Sequence, residues 1–113
     1  MKITDTYEWL LLLQEYIKVG ITSKAQKEIG EIVHIHFPKI GDLFEKGQPI
    51  LVLESTKSAI DTYAPISGEI IEVNTSLLKN FHHLNEDPEG MGWLLKIKPH
   101  KIEEYHALEN LRK

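Results

Sequence analysis

Residues Gly30-Glu-Ile-Val-His-Ile35 are echoed by Gly68-Glu-Ile-Ile-Glu-Val73, an offset of 38 residues (68 − 30 = 38). Each copy opens on glycine and is rich in β-branched residues, so each reads as a strand entered from a turn. Each also continues through a polar, turn-rich segment into a second apolar strand. In the first half that segment carries Pro38, Gly41, Gly47 and Pro49 and ends in Ile50 to Glu54. In the second it spans Asn74 to Gly92 and ends in Trp93 to Ile97. Two such units predict a mainly β fold, a quasi-symmetric pair of small antiparallel sheets folded over one core. A chain of 113 residues has material for one such core, and residues 1–113 are expected to form one domain.

Between the two units lies Glu54-Ser-Thr-Lys57-Ser-Ala-Ile-Asp61. Val52 to Glu54 and Ala59 to Tyr63 are expected to pair as a hairpin with Lys57 at the bend. A turn lysine is ordinarily just a solvated charge. This one has specific surroundings: Glu54 precedes it, Asp61 follows it, and Ser55 and Ser58 keep the tip small. An amine on a rigid exposed turn with acidic flanks suits a covalently carried group, the chemistry then belonging to the attached cofactor.

The flanking regions read more simply. Glu8 to Leu13 and Tyr16 to Ile21 are expected strands joined near Gln14-Glu15. Leu10 to Leu13 does not alternate with polar residues, which fits a strand covered on both faces. Ser23-Lys-Ala-Gln26 resembles a capping box opening a short helix near 23–29, with Gly30 as its stop. Val33, Ile35 and Phe37 alternate with His34 and His36, so the histidines are expected to face water. Beyond Pro99, Ile102, Tyr105, Leu108 and Leu111 predict a helix near 100–111 with a narrow apolar stripe.

Several function classes are disfavoured. A net charge of −4 gives no basic surface for nucleic acid or anionic lipid. The chain has no cysteine, which removes disulfides and thiolate chemistry. Trp9 to Leu13 is too short to span a bilayer and lacks the flanks of a signal peptide, so a cytoplasmic protein is expected. No GxSxG, P-loop or GxGxxG occurs, and Glu86-Asp87 and Glu103-Glu104 read as solvated carboxylates. His34, His36, His82 and His83 lack a third ligand at metal-binding spacing. No metal and no catalytic residue are expected, and Lys57 remains as the reactive handle.

Val19-Gly-Ile-Thr, the segment from Glu54 to Asp61, Tyr63-Ala-Pro-Ile-Ser-Gly68-Glu-Ile-Ile-Glu-Val-Asn74, Asn85-Glu-Asp-Pro88 and Gly92-Trp93 stand in that order. Together, from about Thr6 to Pro99, they resemble the H protein of the glycine cleavage system, a lipoyl carrier. Biotin carriers differ, having methionines beside the lysine where Thr56 and Ser58 stand. The resemblance implies a barrel-sandwich hybrid fold, like that of lipoyl domains, and an amide between Lys57 and lipoic acid. It implies that the arm takes an aminomethyl group from glycine decarboxylase, delivers it to an aminomethyltransferase, and is reoxidised by dihydrolipoyl dehydrogenase. A lipoate ligase or a lipoyl or octanoyl transferase would modify the lysine, with Glu54 and Asp61 marking its loop. For the cleft that shelters the loaded cationic arm, the motif match offers Glu8, Asp61 and the hydroxyl of Thr6.

Three features depart from the family pattern. Thr56 stands where valine is usual, Tyr7 where histidine is usual, and Leu10 to Leu13 replace a polar hairpin. Outward leucines would form an apolar contact patch, unless the C-terminal helix covers them. The departures raise an alternative, an H-like paralogue that relays lipoyl groups to 2-oxoacid dehydrogenase subunits.

Overall fold

In a computed structural model, described over residues 1–111, the chain forms ten strands and three short α-helices. In order these are β1 (Lys2–Ile3), β2 (Glu8–Leu13), β3 (Tyr16–Ile21), α1 (Ser23–Ile29), β4 (Ile32–His36), β5 (Leu43–Phe44) and β6 (Pro49–Ser55). Then come β7 (Ala59–Tyr63), β8 (Gly68–Val73), α2 (His82–Glu86), β9 (Leu95–Pro99), α3 (Ile102–His106) and β10 (Glu109–Asn110), with a 3-10 turn at Thr75–Leu78. Two antiparallel sheets result, unequal in size. One has the order β10-β1-β2-β3-β9-β8-β5 and the other β4-β6-β7.

The sequence echo is a structural one. Its first copy is β4, paired with β6 in the small sheet; its second is β8, paired with β9 in the large sheet. Both ladders carry an irregularity at the same place in the repeat, between Ile32 and His34 and between Ile70 and Glu72. An extra residue at such a bulge turns outward and shifts the inside-outside pattern. That corrects the alternation in β4: Val33 is 44% exposed, while Ile32 and Ile35 are buried. His34 and His36 face solvent, as expected. Between the sheets, Leu10, Ile17, Val19, Ile70 and Ile97 meet Ile35, Leu51, Leu53 and Ile66 in one apolar core.

Two close approaches fix the region below the hairpin. Trp9 is buried, donates its indole N–H to Pro88 O at 2.8 Å, and lies against Gly20. A Cβ on Gly20 would stand 2.6 Å from the ring, which explains a glycine inside β3. The cap of α1 is one residue earlier than the box pattern predicts: the Thr22 hydroxyl accepts from Ala25 N–H, and Gly30 at φ 93° ends the helix. Glycine adopts that positive φ without strain, and its N–H donates to Gln26 O.

The C-terminal helix is present but shorter than the predicted span. It stops at His106, and Glu109–Asn110 returns as a strand on β1. Tyr105 and Leu108 of the expected stripe pack on the core, whereas Ile102 is exposed. Glu104 is not a merely solvated carboxylate: it accepts the N–H of Ser67 at 2.7 Å and anchors the helix to the turn before β8. The leucine run also differs from expectation. Leu10 is buried, Leu12 packs against the core and Leu11 and Leu13 are half-buried, so the run is not a strongly exposed patch.

Candidate functional site

Lys57 stands at the tip of the β6–β7 hairpin, exposed together with Thr56 and Ser58. The tip is shaped by one hydroxyl. Ser55 Oγ accepts the backbone N–H groups of Lys57 (3.1 Å) and Ser58 (3.2 Å), while Ser55 N–H closes the turn on Ser58 O at 2.8 Å. This is the local side-chain capping that makes serine a turn residue. Thr56 N–H donates to Glu31 O at 3.1 Å, tying the tip to the residue before β4. Backbone bonds thus fix the loop, and among the described residues the Lys57 ammonium has no hydrogen-bond or ion-pair partner. Its stem passes α1, with Cε 3.9 Å from where a Cβ on Gly30 would stand.

Along the edge of β7 and the face of α1 runs a cleft of about 440 Å³. Ala25, Glu28 and Ile29 line it from α1, Ile60 to Tyr63 from β7, and Asp5 to Glu8 from the turn before β2. Asp5, Glu8, Glu28 and Asp61 are among its lining residues, and no lysine or arginine is. Both walls begin beside Lys57: β7 starts two residues after it, and α1 ends where its stem lies.

Glu8 is the most constrained group in this cleft. Its carboxylate is buried, and Oε1 accepts the hydroxyls of Thr4 (2.7 Å) and Thr6 (2.6 Å). A turn from Thr4 to Tyr7, with Tyr7 at φ 64°, brings both threonines to it. Burial raises the Glu8 pKa above the ordinary carboxylate range, and the two hydroxyl bonds only partly offset that. On its other side Glu8 borders a recess of about 280 Å³ that includes Lys46. No ion pair is formed with Glu8 among the described residues. A buried carboxylate satisfied only by hydroxyls, in an acidic cleft, has the chemistry to receive a cation.

The structure brings together Thr6, Glu8 and Asp61 in the lining of one cleft, and Lys57 stands against Gly30, at the end of the helix that forms one wall. Glu54 lies apart, on β6 and toward β4 instead of the β7 edge, bonded to His36 across the sheet. That hydrogen bond holds the Glu54 carboxyl below its usual range. The structure adds Thr4, bonded to Glu8, and Glu28, which lines the cleft, to the residues that the sequence singles out. Thr4 is detectable in principle, since Thr4-x-Thr6-x-Glu8 places two hydroxyls just upstream of the acid; Glu28 reaches the cleft only through the packing of α1. Among the described residues, no group of three or more His, Asp or Glu is placed to hold a metal. No helix among them is long and apolar enough to cross a membrane. An exposed amine with small neighbours thus stands near a cleft lined by carboxylates and by no lysine or arginine.

A family model described as Glycine cleavage H-protein matches residues 1–113. A glycine cleavage system H protein of Thermus thermophilus is 45% identical over 96 residues, 85% of this chain and 75% of that one. A glycine cleavage system H-like protein of Chlamydia pneumoniae is 40% identical over 99 residues, 87% of this chain and 86% of that one. Among solved structures, a crystal structure of a glycine cleavage system H protein from Mycobacterium marinum superposes with TM-score 0.81 at 33% identity. It covers 88% of this chain and 83% of its own.

Proposed function

The chain belongs to the glycine cleavage H-protein family, and on that premise we propose that it is a non-catalytic carrier bearing lipoic acid as an amide on Lys57. The observation that carries this reading is the pairing of an exposed, unpartnered lysine with an adjoining cleft lined by four carboxylates and no cationic side chain. When attached, the lipoyl group would supply a dithiolane able to hold an aminomethyl unit and to cycle between disulfide and dithiol. The rest is work for the chain itself. Ser55 and the Glu31–Thr56 bond present the lysine to the modifying enzyme. Glu8, steadied by Thr4 and Thr6, and Asp61 receive the ammonium end of the loaded arm and shield it from water. An ammonium leaving water needs such anionic partners, and charge-assisted hydrogen bonds are the strong ones.

The partners that follow are a lipoate ligase or transferase, glycine decarboxylase, the aminomethyltransferase and dihydrolipoyl dehydrogenase. Intact mass spectrometry of protein made with lipoate and an active lipoate ligase tests the attachment. One lipoyl adduct is expected on the parent and none on Lys57→Arg; an unmodified parent would overturn the carrier reading. Loading of the modified protein by glycine decarboxylase then separates aminomethyl shuttling from a lipoate relay, which has no use for that step.

A further inference from the structure

The small sheet leaves β4 as an edge strand, and an edge strand presents backbone N–H and C=O groups with no ladder partner. At Ile32, the first residue of β4, both of those groups are taken by one side chain. Asn85 Oδ1 accepts Ile32 N–H at 2.8 Å, and Asn85 Nδ2 donates to Ile32 O at 3.1 Å. A carboxamide can reproduce both the donor and the acceptor of a neighbouring strand. It does so at the bulge, where the ladder with β6 is broken between Ile32 and His34.

The clamp is itself held from behind. Asn85 lies on α2, whose Leu84 is fully buried, and Pro88 beyond it is bonded to Trp9. Gln26 Nε2 lies 3.4 Å from Asn85 Oδ1 and 3.3 Å from Gly30 O, joining α1 to the same network. On the far side, Ile32 adjoins Glu31, whose carbonyl accepts Thr56 N–H. Two hydrogen-bonded steps therefore connect Asn85 to the residue preceding Lys57.

We propose that Asn85 is a positioning residue for modification of Lys57, fixing the start of β4 so that Glu31 O can hold the hairpin tip in one orientation. This rests on the carrier reading and adds a residue to it. Ser55 shapes the turn internally, whereas the bond from Thr56 ties the tip to the rest of the fold. Loosening β4 at Ile32 lets the whole tip swing. A modifying enzyme then meets the competent orientation only part of the time, and apparent affinity falls by that fraction while the chemical step is untouched.

The test uses the full chain with lipoate ligase, comparing the parent with Asn85→Ala and Asn85→Asp. Two quantities are read: hydrogen exchange of the Thr56 amide by NMR, and KM and kcat for lipoylation. In both variants Thr56 exchange is expected to speed by about tenfold or more, with KM for the protein substrate raised about tenfold and kcat unchanged. The Asp variant keeps the shape and one acceptor but turns a carboxylate oxygen toward Ile32 O, so the test survives a poorly folding alanine variant. Leu77→Ala, at the buried residue of the 3-10 turn, is the control: it lowers the melting temperature through a cavity and should leave KM as it is. Unchanged Thr56 exchange in a folded variant overturns the proposal, and so does faster exchange with unchanged KM. Absence of lipoylation on the parent would instead defeat the carrier reading, and Thr56 exchange would still decide whether Asn85 pins the hairpin.

Discussion

At the hairpin tip, a charged group is left free while the backbone beneath it is bonded at Ser55, Thr56, Lys57 and Ser58. At the floor of the cleft, Glu8 is buried and its carboxylate is bonded by two hydroxyls. The lysine meets nothing until another protein arrives. The glutamate is desolvated in advance, and that burial pushes its pKa up. One site presents and the other receives, and they differ in what each demands of the fold. Presentation needs only a rigid turn at the surface. Reception needs a buried acid, which costs stability and must be supported by packing.

If that contrast holds, damage to the support of the cleft should fall on the fold and leave the lysine usable. Gly20→Ala places a methyl against the Trp9 ring next to Glu8, with the indole fixed by Pro88. Overpacking of this kind costs about 3 kcal/mol, or roughly 10 °C in melting temperature for a domain of this size. Thermal unfolding would read it. At temperatures where the variant is folded, lipoylation of Lys57 should match the parent. Loss of lipoylation in the folded variant would break the separation of the two sites.

The contrast also explains what can be read from the sequence. Lys57 and its hairpin are legible because a turn at the surface is a local matter, set by Ser55, Ser58 and β-forming flanks. The helix over 23–29 and the pairing of Glu8–Leu13 with Tyr16–Ile21 are legible for the same reason. The echo marks the two sheet units, but not the bulges that turn out Val33 and Ile71. A bulge adds a residue without changing composition, so alternation cannot reveal it. Apolar spacing overextends the C-terminal helix because it continues to Leu111, whereas pairing of Glu109–Asn110 with β1 ends the helix early. Asp61 is legible locally as an acidic flank of Lys57, but Glu8 and Asp61 as cleft residues enter through family resemblance. Their joint position depends on β7 running beside the turn before β2, a long-range arrangement that no local pattern carries.

A smaller effect bears on the receiving site alone. The raised pKa of Glu8 means that the folded chain binds its proton more tightly than the unfolded chain. Between the unfolded value, about 4.3, and the raised folded value, the native state carries more protons, so stability falls as pH rises through that window. Glu8→Gln keeps an acceptor for Thr4 and Thr6 and removes the charge. It should be more stable than the parent at pH 7, by about 1 kcal/mol or roughly 4 °C, with the difference fading toward pH 4. Denaturant midpoints at the two pH values would check this. A gap that did not change with pH would mean that Glu8 is not desolvated in the way its burial indicates. The same variant should release a cationic arm about tenfold faster, since a charge-assisted bond is lost.

The smallest effect belongs to the presenting site. Glu54 and His36 form a cross-strand pair near the hairpin root, and the hydrogen bond from His36 holds the Glu54 carboxyl below its usual range. A depressed carboxylate adds stability above its unfolded pKa and loses it as pH falls through the folded one. Both side chains are well exposed, however, and water and salt screen such a pair. His36→Ala should therefore leave the melting temperature unchanged at pH 7 while moving the Glu54 titration upward, toward that of an ordinary glutamate. Carboxyl carbon shifts followed by NMR would report the second effect, and about 1 M salt should shrink the difference between variant and parent. A clear fall in melting temperature would show that the hairpin root, like the cleft, depends on a side-chain charge. The division between a lysine carried on backbone bonds and a glutamate held by side chains would then fail at the presenting end, where solvent screening should make a charge easiest to remove.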